Sequence, residues 1–382
     1  MRTASGPASG NSYIVMSKTI QPATPAKKPH PLRVGFVPLN DCAPLVMARE
    51  LGLFAKYGVS VELKRELGWA TIRDKIIFGE LDAAHAVAGM PFAATLGIGS
   101  VQCDCVAGMV LSLNGNAVTL SRALWDAGVR DVETLRQHIT KSRRKNLLTF
   151  GVVFPSSSHN FLLRQWLLSG GIDPNRDVRI VVVPPPQMYV NLKAGNLDGY
   201  CVGEPWNSMA IQARAGWSVT ASAQLAAGHP EKVLLVRRQF AEERAREHIA
   251  LMAALIEACA FCDQWENADY VATILSRSEY LNLPAAALGR SLCGLFDFGC
   301  GRVEAVPDFH IFHRQSANEP SRDKAAWITR AMFQYGLVAN RAALESDTIK
   351  RVFRPDLFRQ ARAMVSGPKS GSKNSESNLV NA

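Results

Sequence analysis

Polar and aromatic residues follow strand-like segments at four places in this 382-residue chain. They are "LGWATIRD" with Trp69, "LNGNAV" with Asn116, "FPSSSHN" with His159, and "GEPWN" together with "GHPEKVLL", which contain Gly203 and Lys232. Ligands of open α/β proteins bind where strands end. Amide, imidazole and ammonium groups donate hydrogen bonds, and free N–H groups at a helix start favour negative charge. Together these segments predict an anion-binding cleft.

Each of these residues also fits a second interpretation. Trp69 is equally compatible with a core aromatic, His159 with an ordinary residue at a helix start, and Lys232 with a surface lysine. The serines before His159 do not predict a hydrolytic triad, because adjacent residues rarely place a histidine opposite its serine. We interpret them as a polar loop and helix N-cap.

Known catalytic and metal-binding motifs are missing from the sequence. It contains no P-loop, dinucleotide fingerprint, serine nucleophile elbow or HExxH motif. The spacing Cys259-x-x-Cys262 falls in an apolar helical pattern, so it predicts two buried thiols. Cys103 and Cys105 lack a second pair at zinc-site spacing. We therefore predict no enzyme activity, catalytic residue, metal or cofactor.

Strand-like and helix-like segments alternate along the chain, which predicts an α/β fold with parallel sheets and helices on both faces. "WSVTAS" and "EKVLLVRR" are predicted as the last two strands, with mostly helix from Gln239 to about Asn340. Two such blocks, followed by a segment in which the chain returns to the first, predict two lobes around a cleft. We assign residues 32–120 to the first part of lobe 1, 121–229 to lobe 2, and 230–345 to the return to lobe 1 and the C-terminal helices.

Composition and the chain ends give further expectations. Residues 1–31 and 366–382 are predicted to be a disordered leader and tail. The net charge of +10 is partly due to four basic residues before Arg33, so we interpret it as diffuse surface charge without direct nucleic-acid binding. No apolar run is long enough for a secretory signal or a membrane span. A cytoplasmic location is expected; the alternative is a misassigned start codon.

Several long motifs make the chain similar to a known family. The segments "GFVPLNDCAPLVMARELGLFAKYG", "GWATIRDK", "PPPQMYVNLKAGNLDGYCVGEPWN", "GHPEK" and "FDFGCGRVEAVPDF" resemble the nitrate/bicarbonate-binding (NrtA/CmpA-like) solute receptors of ABC transporters. The likeness runs from about Leu32 to Val338. It implies a two-lobed periplasmic-binding-protein type II fold with a ligand cleft between the lobes.

The resemblance also implies the ligand contacts. The family's ligand residues fall on Trp69, His159, Gly203 and Lys232, and Asn116 replaces a family glutamine. Glu204 and Trp206 are expected to support the cleft, as cap and packing. Nitrate accepts hydrogen bonds without donating any, whereas bicarbonate also carries an O–H group that needs a hydrogen-bond acceptor such as a carboxylate. Related bicarbonate receptors have an acid at the lysine position, so Lys232 favours nitrate or nitrite.

A partner follows from the same resemblance. One branch of the family, the NasS-like nitrate sensors, stays in the cytosol. It implies an ANTAR-type, RNA-binding antiterminator partner (NasT-like), which the ligand-free sensor inhibits and which nitrate or nitrite releases. The alternative is the solute receptor of a nitrate, or less readily bicarbonate, ABC transporter. Thiamin-pyrimidine biosynthesis enzymes of the same superfamily need a cofactor-anchoring or self-sacrificing His/Lys site and often have a Cys-rich motif, and neither is found in this sequence.

Overall fold

The computed structural model describes residues 30–141, 147–344 and 346–367. The predicted leader (1–31) and tail (366–382) lie outside these ranges, apart from residues 30, 31, 366 and 367. Within the described ranges, no helix is long and apolar enough to cross a membrane. The strands and helices belong to one compact unit that begins at Pro31.

Thirteen strands are found in the described residues. In chain order they are β1 (Leu32–Phe36), β2 (Val61–Arg65), β3 (Ala83–Val87), β4 (Cys105–Asn114), β5 (Asn116–Ser121), β6 (Thr149–Val152), β7 (Arg179–Val182), β8 (Gly199–Gly203), β9 (Gly216–Ala221), β10 (Pro230–Arg237), β11 (Leu295–Gly299), β12 (Arg302–Ala305) and β13 (His310–Ile311).

Seventeen α-helices accompany these strands in the same part of the chain. They are α1 (Ala43–Glu50), α2 (Leu53–Lys56), α3 (Trp69–Ile77), α4 (Met90–Thr95), α5 (Arg122–Asp126), α6 (Val132–Lys141), α7 (Ser158–Ser169), α8 (Pro185–Lys193), α9 (Trp206–Gln212), α10 (Ser222–Leu225), α11 (Arg238–Glu243), α12 (Ala245–Cys262), α13 (Ala268–Leu275), α14 (Ala285–Leu292), α15 (Arg322–Gln334), α16 (Ser346–Val352) and α17 (Pro355–Ser366).

The strands form two main sheets, and each sheet with its helices is one lobe. The first sheet has the order β13-β4-β10-β3-β1-β2, and the second has the order β7-β6-β8-β5-β9. The prediction of parallel sheets was wrong in part, because both sheets contain antiparallel strands. Strand β10 is antiparallel to β3 and β4, β13 is antiparallel to β4, and β5 is antiparallel to β8 and β9. Strands β5 and β10 enter from the other sheet, so each begins at the edge where its neighbours end.

The first crossing between the sheets is at Gly115. The first part of lobe 1 was expected to extend to residue 120. Instead β4 belongs to the first sheet and β5 to the second, so the change of sheet comes at Gly115. This residue has φ +92°, and a Cβ there would lie 2.6 Å from His310 Nδ1. Glycine suits both the conformation and the close approach.

The C-terminal region contains strands that the sequence did not predict. After Gln239, β11 and β12 form a separate antiparallel pair, and β13 joins the edge of the first sheet beside β4. The expectation that β9 and β10 are the last strands was therefore wrong. Strand β13 has only two residues and is specified by its partners Leu113 and Asn114 rather than by a pattern of its own.

The two lobes are in direct contact along the strand ends. The Asn40 N–H donates to the Glu204 carbonyl at 2.8 Å, and Trp69 belongs to an apolar cluster that also contains Phe154 of the second lobe. A Cβ at Gly89 would lie 2.0 Å from the carbonyl oxygen of Ser156, which shows how closely the backbones approach. These contacts enclose the space where the predicted site residues lie.

The two cysteines of the Cys259-x-x-Cys262 motif are free and buried within α12. The prediction of two buried thiols on an apolar helix is therefore confirmed. In the described residues, no group of three or more His, Cys, Asp or Glu side chains has the arrangement of a metal site.

Candidate functional site

The five predicted ligand residues come together where the two lobes meet. Trp69 begins α3, Asn116 begins β5, His159 lies in the first turn of α7, Gly203 ends β8, and Lys232 lies near the start of β10. All five are buried, and the four with side chains are at most 1% exposed. The reversal of β5 and β10 brings the beginnings of these strands to the ends of their neighbours. That is why residues so distant in sequence meet at one edge.

Three of the predicted donors converge on the carboxylate of Glu231. Asn116 Nδ2 donates to Oε2 at 2.6 Å, Lys232 Nζ lies 2.5 Å from Oε1, and His159 Nε2 lies 3.4 Å from Oε1. The hydroxyl of Ser158 also donates to Oε2. Glu231 is fully buried, and we missed it although it lies in the quoted "GHPEK" segment. Only its neighbour Lys232 was predicted as a ligand residue, because a positively charged side chain can pair directly with an anion.

A second buried carboxylate, Asp41, pairs with the same lysine. Lys232 Nζ lies 2.7 Å from Asp41 Oδ2, and His85 donates through Nε2 to Asp41 Oδ1 at 2.9 Å. Sequence reasoning also missed these two residues. Asp41 comes shortly after β1, where the strand-end rule could have found it. A histidine inside the buried strand "AAHAV" was a further signal. We call Asp41, His85, Asn116, Ser158, His159, Glu231 and Lys232 the polar cluster.

Trp69 and Gly203 form the walls of the polar cluster. Lys232 Nζ lies 5.2 Å from the centre of the Trp69 ring, within the range of a cation–π contact. The ring of His85 lies 5.5 Å from the same ring. A Cβ on Gly203 would lie 3.4 Å from Asn116 Oδ1 and 3.6 Å from Asp41 Oδ2. A larger residue at Gly203 would therefore press on both polar groups.

Burial and mutual charge set the protonation of the polar cluster. Burial opposes the charge on Lys232, but Asp41 and Glu231 outweigh it and raise its pKa. Burial raises the pKa of Glu231, whereas His159, Lys232 and His229 lower it, with a net value of about 2. For Asp41, Lys232 and His85 together outweigh burial and lower the pKa. Both carboxylates and the ammonium are thus charged near neutral pH.

His159, one of the two histidines of the polar cluster, is neutral under the same conditions. Burial lowers the pKa of His159 to about 4. Neither of its ring nitrogens has a hydrogen-bond partner among the described residues, and the same is true of Trp69 Nε1. A buried donor without a partner is costly, so native proteins rarely keep one without a reason. An acceptor-only anion in contact with Trp69 and His159 would satisfy these donors.

Glu204 and Trp206 lie beside the polar cluster and contact the segment that carries Gly203. Glu204 accepts a hydrogen bond from Ser208 Oγ at 2.5 Å, and burial raises its pKa to about 7. Trp206 is buried in the apolar cluster shared by both lobes. Its carbonyl accepts a bond from the Tyr200 hydroxyl at 2.8 Å. The role of Glu204 and Trp206 in supporting the cleft stays a prediction.

A separate cavity of about 610 Å³ lies in the first lobe, near the β11–β12 pair. Its walls are mainly apolar, with Trp265, Leu295 and Phe312 among them. One of its lining residues, the buried His310, also lies next to Gly115, where the chain crosses between the sheets. None of the five predicted ligand residues lines it, and we place the candidate site at the polar cluster because the donors converge there.

Relatives of this chain include ATP-binding proteins of nitrate import and of bicarbonate transport. The nitrate import ATP-binding protein NrtC of Synechocystis sp. (strain ATCC 27184 / PCC 6803 / Kazusa) is 40% identical over 333 residues, 86% of this chain and 49% of NrtC. The bicarbonate transport ATP-binding protein CmpC of Synechococcus elongatus is 40% identical over 307 residues, 80% of this chain and 45% of CmpC. The chain thus spans about half the length of these two relatives.

A solved structure and a family profile agree with these relatives. The crystal structure of the periplasmic nitrate-binding protein NrtA from Synechocystis PCC 6803 matches with a TM-score of 0.83 and 29% identity, over 88% of this chain and 89% of NrtA. The predicted two-lobed periplasmic-binding-protein fold is therefore confirmed. The profile of the NMT1-like family matches residues 25–276. The nitrate/nitrite binding protein NrtA of Nostoc sp. is 31% identical over 344 residues, 87% of this chain and 77% of NrtA. The chain therefore belongs to the NMT1-like family, in the NrtA/CmpA-like group of solute-binding proteins.

Proposed function

We propose that this chain binds nitrate or nitrite at the polar cluster and acts as a cytosolic sensor, not as an enzyme. Without the anion it inhibits an ANTAR-type, NasT-like antiterminator, and anion binding releases that partner. Anion binding and partner binding oppose each other because they favour different lobe arrangements, since a ligand shifts an equilibrium only through differential affinity.

The observation that carries the anion-binding proposal is the convergence of donors on one point. Lys232, Asn116 and His159 come from three separate elements, and all reach the position of a single carboxylate. A carboxylate is planar, singly charged and acceptor-only when ionised, as nitrate is. A site that holds one such group in this way has the charge and geometry to hold the other. The likeness to nitrate-binding NrtA supports the same ligand.

The sensor part of the proposal is supported by the resemblance to the NasS-like branch. The second candidate is a solute-binding receptor for a transporter, which the similarity to the transport proteins NrtC and CmpC favours. Bicarbonate is the second candidate ligand, because the buried Glu231 supplies the acceptor that its O–H needs. This acceptor weakens the argument that Lys232 alone selects nitrate.

The ligand is tested by thermal unfolding with nitrate, nitrite, bicarbonate or sulfate, for the wild type and Lys232→Ala. Ligand at about 100 times its dissociation constant adds roughly 2.7 kcal/mol to the free energy of unfolding. We expect Tm to rise with nitrate or nitrite in the wild type and not in the variant. A rise with bicarbonate alone would identify the second candidate ligand, and no rise with any of the four anions would refute anion binding.

The partner is tested by gel filtration of the purified chain mixed with a purified ANTAR-type antiterminator. The sensor proposal predicts a complex that forms without nitrate and separates when nitrate is added. Anion binding without any complex would favour the transport receptor.

A further inference from the structure

The ionised carboxylate of Glu231 competes with the anion for the same donors. Asn116 Nδ2 and the Ser158 hydroxyl both donate to Oε2, and Lys232 Nζ lies 2.5 Å from Oε1. An anion bound here needs these same donor groups. Two acceptor-only groups cannot share them without bringing two negative charges close together.

The charge balance of the site makes a second anion costly. The groups that face Glu231 are Lys232, Asp41, the imidazoles His159, His229, His85 and His310, and the Cys201 thiol. Asp41 and Glu231 are negative and Lys232 is positive, so the site carries one net negative charge while its histidines and thiol are neutral. Adding an anion would double that charge in a place without solvent access. Buried charge of this kind is strongly unfavourable unless it is neutralised.

Glu231 is shielded from water while the lobes are in contact. Its strand, β10, is paired on one side with β3 and on the other with β4. Its side chain is fully buried, and the lobe contacts Asn40–Glu204 and Gly89–Ser156 close the edge of the cleft. Swinging the carboxylate into solvent would require these contacts to break. A proton, in contrast, neutralises it in place.

We propose that the anion binds together with one proton, and that Glu231 is the group that receives it. An anion that takes Lys232 and Asn116 removes groups that keep Glu231 ionised, so burial then favours the neutral carboxylic acid, which becomes a hydrogen-bond donor itself. The net charge of the site is the same before and after binding. The inference rests on the proposed function, since it concerns the same anion site.

Proton uptake makes the affinity depend on pH. An equilibrium that takes up one proton weakens by up to about tenfold for each unit that the pH rises. Nitrate serves as the probe because it does not itself bind a proton in this range. We expect its affinity for the wild type to fall as the pH rises from about 6 to 8.

The experiment is calorimetric titration with nitrate in two zwitterionic buffers of different ionisation enthalpy. The difference in measured heat gives the number of protons taken up. We expect about one proton per nitrate for the wild type and none for Glu231→Gln, which should bind nitrate at least about tenfold more tightly near pH 8. Glu66→Gln is the matched control, because Glu66 is also a buried carboxylate but pairs with Lys75, outside the site, and it should retain the uptake.

The outcomes separate the two proposals. Nitrate binding by the wild type without proton uptake would overturn the inference while leaving anion binding intact, and this measurement needs no variant to fold. Uptake that persists in Glu231→Gln would overturn the role of Glu231. Absence of nitrate binding in both the wild type and Glu231→Gln would mean that the nitrate proposal itself fails.

Discussion

Lys232 and Asp41 form an ion pair of 2.7 Å in which both side chains are at most 1% exposed. Lys232 comes from the strand that returns from the second lobe, whereas Asp41 follows the first strand of the chain. The lysine therefore offsets two buried carboxylates, Asp41 and Glu231, and also supplies the positive charge proposed to attract the anion. Fold stability and the proposed ligand binding therefore depend on the same ammonium group.

Replacing Lys232 with alanine is expected to reduce stability as well as binding. Removing one partner of a buried ion pair leaves an uncompensated charge and typically costs about 3–5 kcal/mol. Urea unfolding at neutral pH measures this loss. Lys64→Ala is the control: Lys64 also lies on a strand but pairs with Glu62 at the surface, where such pairs contribute about 0–1 kcal/mol. Equal losses of unfolding free energy for the two variants would contradict the role of Lys232 in offsetting the buried carboxylates.

Replacing Gly89 with alanine is expected to prevent the close approach of the lobes. The new Cβ would lie 2.0 Å from the Ser156 carbonyl oxygen, although the φ of −81° at Gly89 suits any residue. The variant should fold, with a nitrate affinity at least about tenfold lower, or about 1.4 kcal/mol. Titration followed by tryptophan fluorescence, with circular dichroism to check folding, measures both quantities.

Gly68→Ala is the matched control for that experiment. Gly68 also faces the second lobe, but a Cβ there would meet Pro184 at 3.6 Å, an ordinary contact. Its φ of −174° is extended backbone. We expect wild-type affinity from this variant. If both alanines lowered the affinity equally, the close approach of Gly89 to Ser156 would not be the cause.

Glu204 is expected to make the chain less stable as the pH rises. Burial raises its pKa from 4.5 to about 7. Its contribution is fully present below pH 4.5, is lost as the pH rises from 4.5 towards 7, and falls no further above that. A shift of this size corresponds to roughly 3 kcal/mol. Glu204→Gln cannot ionise, so unfolding free energies at pH 5 and pH 8 should show the loss in the wild type only. A parallel pH dependence in the two proteins would contradict this assignment.

Replacing Trp69 with phenylalanine is expected to weaken anion binding more than it weakens the fold. The ring contact with Lys232 is largely retained, but the buried Nε1 donor is lost. Losing one hydrogen bond to a charged group corresponds to about 1.5–3 kcal/mol. Calorimetric titration with nitrate gives the affinity. Trp265→Phe is the control, since Trp265 is 72% exposed and lies outside the polar cluster. Unchanged affinity in Trp69→Phe would mean that Nε1 does not contact the anion.

The sequence by itself determined the elements and the residues at their ends. Apolar strand patterns and the residues that follow them are local features, so Trp69, Asn116, His159 and Lys232 stood out before their neighbours were known. The buried cysteines of α12 were predictable for the same reason, because helical periodicity repeats within a few turns. The alternating segments also predicted two lobes, and the family motifs added the type II fold and the ligand contacts.

Tertiary structure decided which groups meet and what charge they carry. The pairing of Asp41 with Lys232 and the position of Glu231 among the donors depend on strands that return from the other sheet. The two-residue strand β13 and the crossing at Gly115 depend on their partners in the same way. Sequence patterns report local backbone preference and burial. The distance between residues far apart in the chain, and the protonation that follows from it, are set only when the sheets close on each other.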